Sequence, residues 1–89
     1  MYIVVEHEIS DPKTFWDTAQ EGMSNLPDGL KTHQVFPNSD GTKAVCLWEA
    51  DGVEDVESFI EGAVGQVSRN TYYPVEEENA VRSPATAGV

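Results

Sequence analysis

The chain has 89 residues, room for one domain with a modest core, so self-association that hides further apolar surface fits from the start. Sixteen Asp and Glu against five Lys and Arg give a formal charge of −11, which repels phosphate backbones and anionic lipid and argues against a nucleic-acid or membrane partner. Cys46 is the sole cysteine and no leader or membrane-length apolar run is evident, so the expectation is a cytoplasmic protein without an internal disulfide.

The acidity itself has two readings: solubility, including in a salty cytoplasm, or attraction of cations and basic partners. Met1 to Ile9 is rich in β-branched residues, with Ile3, Val5 and Ile9 alternating against Tyr2, Val4, Glu6 and Glu8, which predicts a first strand. Ser10-Asp11-Pro12 offers a cap and a proline for a helix start, and Phe15, Ala19 and Met23 make an apolar stripe to Asn25, before Pro27 and Gly29. Leu30 to Pro37 and Lys43 to Ala50 read as strands joined through Asn38-Ser39-Asp40-Gly41, a hairpin. Val53 to Val67 follows helical spacing with acids in its first turn, favourable for the helix dipole. Thr71 to Val75 is a short last strand whose Pro74 suits a sheet edge, and Glu76 to Val89 is a polar tail without periodicity, expected to be mobile or draped over a partner.

Strand, helix, hairpin, helix, strand is the ferredoxin-like β-α-β-β-α-β order, an α+β domain over residues 1–75 with both helices on one face and sheet order 4-1-3-2. If Ile3, Val5 and Ile9 meet the helices together with Val45 and Leu47, the open face carries Tyr2, Val4, Val35, Ala44, Cys46 and Trp48. A surface that apolar predicts a homodimer burying two sheets against each other, a dimeric α/β barrel enclosing a cavity.

A symmetric four-residue turn would pair Pro37 with Thr42 and put His33 opposite Cys46, on the face of Trp48 and Glu6. Carboxylate, imidazole and thiol together can hold a divalent transition ion, which makes Glu6, His33 and Cys46 candidate metal ligands. The bland alternative is a hydrogen-bonded strand histidine, a small buried hydrophobe and a rim charge. His7 points among Ile3, Val5 and Ile9 and reads as a packed or edge histidine, with general base a minor role. Glu49 is a strand-end charge unless a bulge turns it inward; of Tyr72 and Tyr73, one packs and the other can reach a ligand. No Ser/His/Asp arrangement, phosphate-cradling glycine loop, paired-cysteine zinc signature or basic aromatic surface is present in the sequence.

The segments Tyr2-Ile3-Val4-Val5-Glu6, Thr32-His33-Gln34-Val35-Phe36 and Val45-Cys46-Leu47-Trp48-Glu49-Ala50 resemble a family of small ferredoxin-like proteins of unknown function, some described as nickel-binding. The resemblance spans about residues 1 to 75 and matches the family pattern at Glu6, His33, Cys46, Trp48 and Glu49, while His7 replaces its usual basic residue. It implies a homodimer holding nickel or a small ligand, with His33 as main donor. The wider group of dimeric α/β barrels implies the alternative, a cofactor-independent monooxygenase or isomerase with His33 as base and Glu6, Cys46, Trp48 and Tyr72 around the pocket. A structural or regulatory dimer with no ligand is the third reading.

Overall fold

The computed structural model describes residues 1–81. Its elements run β1 (Tyr2–Ile9), α1 (Pro12–Met23), β2 (Lys31–Pro37), β3 (Lys43–Glu49), α2 (Val53–Val64) and β4 (Ser68–Val75), followed by a 3-10 turn at Glu77–Asn79. The strands form one antiparallel sheet in the order β2-β3-β1-β4, so the ferredoxin-like α+β architecture is the fold. Part of the expected tail, residues 82–89, lies outside the described residues. Among the described residues no helix is long and apolar enough to cross a membrane.

Local chemistry explains the boundaries. Asp11 rather than Ser10 caps α1: its carboxylate accepts the Thr14 backbone N–H at 3.2 Å and the Thr14 hydroxyl at 2.8 Å, and Pro12 fills the first helical position. Ser10 instead donates to the Val67 carbonyl at 3.0 Å, tying the start of α1 to the chain entering β4. The β2–β3 loop is Asn38 to Thr42, closed by Asn38 through its backbone and its side chain to Lys43, with Gly41 at φ +74° as its left-handed residue. Trp16 of α1 donates its indole N–H to the Gly41 carbonyl at 3.0 Å, and a Cβ at Gly41 would sit 3.0 Å from that same nitrogen. The helix is thereby fastened to the hairpin tip.

The core lies between the sheet and the two helices. Ile3, Val5 and Val56 are fully buried, with Ile9, Phe15, Ile60 and Val64 around them; each such side chain contributes about 1.5–3 kcal/mol through removal from water. The face assignment of β3 departs from the expected one. Ile3 pairs with Trp48 and Val5 with Cys46, and directly opposed residues share a face. Ala44, Cys46, Trp48 and Ala50 are therefore buried beneath the helices, and Val35, the partner of Cys46 on β2, packs against the same core. The open face instead carries Tyr2, Val4, Phe36, Val45, Leu47, Tyr73 and Val75. Phe36 is 60% and Tyr73 41% exposed there. β3 is apolar on both sides, so alternation could not say which row faces inward; pairing with β1 decides it.

Candidate functional site

The two histidines sit on opposite faces. His33 occupies a β-bulge: Thr32 pairs with Trp48 and Gln34 with Leu47, leaving His33 as the extra residue. The hairpin pairs Pro37 with Ala44 rather than Thr42, a two-residue shift that preserves parity, and the bulge then turns His33 to the open face. There its Nε2 lies 2.9 Å from Glu49 Oε1 and its ring 5.5 Å from that of Tyr2. The His33 contact holds the Glu49 carboxyl below its usual range, and the charges of Glu77 and Glu49 push the Tyr2 hydroxyl up.

The expected ligand set is not assembled. Glu6 pairs with Val45 on the open face, four residues along β3 from Glu49 and so about 13 Å from the His33 end. Cys46 lies on the other side of the sheet, under the helices, and so does Trp48. Among the described residues no group of three or more His, Cys, Asp or Glu is placed to hold a metal ion. Within one copy Glu6, His33 and Cys46 therefore do not meet at one ion: Glu6 and His33 lie apart along the open face, and Cys46 lies across the sheet from both.

A different set converges beneath the helices, around His7. His7 is 4% exposed. Asn70, its directly opposed neighbour on β4, has Oδ1 2.6 Å from Nδ1, and Cys46, its diagonal neighbour on β3, has Sγ 3.2 Å from Nε2. The proton positions follow from the far end of the chain. Asn70 Nδ2 donates to Glu61 Oε2 of α2 at 2.8 Å, and the Tyr72 hydroxyl donates to the same oxygen at 2.5 Å. A carboxylate only accepts, so the Asn70 oxygen faces His7, Nδ1 carries the imidazole proton, and the Nε2 lone pair receives the Cys46 S–H.

Electrostatics keep this pair uncharged. Burial lowers the pKa of His7, opposed by the Asn70 bond and the Glu61 charge; burial raises the Cys46 thiol to about 11, opposed by the Trp48 indole N–H. Tyr72 is pushed up by burial and by its bond to Glu61, reinforced by the charges of Glu61 and Glu57. His7 and Cys46 line a cavity of about 40 Å³ whose other walls are mostly apolar: Phe15 and Ala19 from α1, Phe59 and Ile60 from α2, Val35 and Trp48 from the sheet. Trp48 is 4% exposed; its buried Nε1 is close enough to Cys46 to act on the thiol, but among the described residues it has no hydrogen-bond partner of good geometry.

Sequence reasoning put His7 among the right neighbours but did not pair it with Cys46, because β3 was turned the wrong way. Asn70 was missed as a strand residue because Ser68-Arg69-Asn70 has no β-propensity; its signal was its position opposite His7 once β4 is extended back to Ser68. No protein-family model matches the chain, and no curated protein matches it either.

Proposed function

We propose that the chain forms a homodimeric domain that binds a small neutral ligand bearing an acceptor oxygen, such as a carbonyl compound, in the cavity between helices and sheet. The observation that supports this is the Trp48 indole N–H, which among the described residues makes no well-formed hydrogen bond, on a residue lining an otherwise apolar cavity together with an uncharged imidazole. A buried donor without a partner costs about 1–3 kcal/mol, which an acceptor on a ligand recovers. At 40 Å³ the cavity suits a ligand of about three or four heavy atoms. The chemistry open to such a site is proton transfer without a cofactor, as in an isomerisation, with His7 rather than His33 as the base. An ammonium or carboxylate ligand is disfavoured by the apolar walls.

The dimer rests on the open face. Its middle is apolar, and the charges on its strands balance, Glu6, Glu8 and Glu49 against Lys31, Lys43 and Arg69, with Arg69 4.0 Å from Glu8 and Glu76 and Glu77 adding acid only at the Tyr2 end. The helices carry most of their charge as carboxylates, among them Asp17, Glu21, Glu54, Asp55, Glu57 and Glu61. In a chain of net charge −11 the sheet is thus the surface on which two copies approach without strong repulsion.

Titration of the folded protein with acetone, followed by ¹H–¹⁵N spectra, tests the ligand reading. The Trp48 indole resonance should shift saturably and further than that of Trp16, which also lines the cavity but is already bonded to Gly41. Equal, unsaturable drift of both indoles would remove the cavity as a binding site.

A further inference from the structure

We infer that Cys46 is a nucleophile toward small, neutral, conjugated carbonyl compounds, with His7 as its base and Asn70 as the residue that positions that base. The inference rests on the cavity reading above and goes beyond it in assigning covalent chemistry to the thiol. Three adjacent strands supply the three groups: Cys46 Sγ lies 3.2 Å from His7 Nε2, and His7 Nδ1 lies 2.6 Å from Asn70 Oδ1. The order thiol, imidazole, amide is a nucleophile, a base and an orienting group, a constellation defined by geometry rather than by fold. Two independent features make it more than a buried cysteine: both His7 and Cys46 line the cavity, and the buried N–H of Trp48, which has no hydrogen bond of good geometry among the described residues, stands on the same strand two residues away.

The step is an addition. The Cys46 sulfur forms a bond to the β-carbon of the conjugated carbonyl compound, the C=C electron pair moves toward the carbonyl oxygen, and the resulting enolate oxygen takes a hydrogen bond from the Trp48 N–H. The thiol proton passes to His7 Nε2, and the imidazolium so formed is held by Asn70 Oδ1 and by the Glu61 charge behind it. That proton then passes to the α-carbon. No atom leaves and no oxidant or reductant is required.

Because the resting pair is neutral, attack and proton transfer are linked, and no free thiolate is needed. The groups facing His7 are Cys46 from β3, Asn70 from β4, Glu61 from α2 with Tyr72 hydrogen-bonded to it, and the uncharged ring of Phe15 from α1, its centroid 5.2 Å from that of the imidazole. Burial of Cys46 to 6% exposure shuts out bulky or anionic reagents.

The test exposes the intact folded protein to acrolein and, separately, to the anionic aromatic disulfide DTNB, with mass spectrometry and peptide mapping as readout. The expected result is a single acrolein adduct on Cys46 at a rate flat between about pH 7 and about pH 9, with DTNB silent until urea is added. An unassisted buried thiol would instead react about tenfold faster for each added pH unit. His7→Gln should cut the rate at neutral pH at least about tenfold and restore that steep pH dependence; Asn70→Ala, which leaves thiol and imidazole in place, should give a smaller loss in the same direction. A steep profile in the unmodified protein, or no native adduct at all, overturns the inference. If acetone still shifts the Trp48 indole while acrolein leaves Cys46 untouched, the nucleophile is wrong and the cavity reading stands; if neither occurs, both fall together.

Discussion

The two histidines of this chain stand on opposite faces of one sheet, on strands separated only by β3. His33 sits in a bulge on the open face, partly exposed, with a carboxylate for a partner. His7 is buried on the helix side, bonded through both nitrogens, and burial favours its neutral form. An imidazole in contact with an exposed carboxylate gains at most about 1 kcal/mol from it in solvent. One held between an amide and a thiol beside an apolar cavity has a fixed tautomer and a lone pair committed to a single proton. Which role a histidine takes is thus set by strand register, not by residue type.

The comparison between the two faces can be broken most severely in the core. Ile3→Ala, under the helices, should destabilise the domain by about 3 kcal/mol in urea unfolding, whereas Val45→Ala on the open face should cost under about 1 kcal/mol at concentrations where the protein is monomeric. Comparable losses at both positions in the monomer would reverse the assignment of faces. Leu47→Lys, at the centre of the open face, should convert a dimer to a monomer in sedimentation velocity with the circular dichroism spectrum unchanged. A monomeric unmodified protein would remove the dimer instead.

The next effect is in pH. The pKa of His7 is lower folded than unfolded, so the unfolded chain binds the extra proton. Stability is then fully present above the unfolded value of about 6.5 and falls as pH drops toward the folded value, with a slope of at most about 1.4 kcal/mol per pH unit. His7→Gln should flatten that part of the profile, and an unchanged profile would place the titration elsewhere. Asn70→Ala strips the acceptor from Nδ1 and should cost about 1–2 kcal/mol in thermal unfolding. At the bottom of the scale, His33→Gln in the monomer should change stability by no more than about 0.5 kcal/mol; a loss of several times that would make the Glu49 contact structural.

Much of the architecture was legible because its signals are local. Pro12 and the acid before it start α1, the turn formers at 38–41 close the hairpin, and Pro74 lies in an edge strand as its missing donor requires. The strand order followed from the order of elements and the handedness of crossovers. What was not legible depends on pairing across long separations. The row Ala44, Cys46 and Trp48 is as apolar as the row Val45 and Leu47, so nothing inside β3 tells which is buried. Taking the second row as buried placed Cys46 beside His33, whereas the pairing with β1 places it beside His7. The bulge at His33 and the extension of β4 through Asn70 were equally silent, since neither leaves a mark in composition or periodicity.

The clip between Trp16 and Gly41 ties the cavity to the loop. Trp16 is both a wall of the cavity and the residue that fastens α1 to the hairpin tip. A change at the hairpin tip, far from His7 in sequence, is therefore felt in the wall of the cavity through a single hydrogen bond.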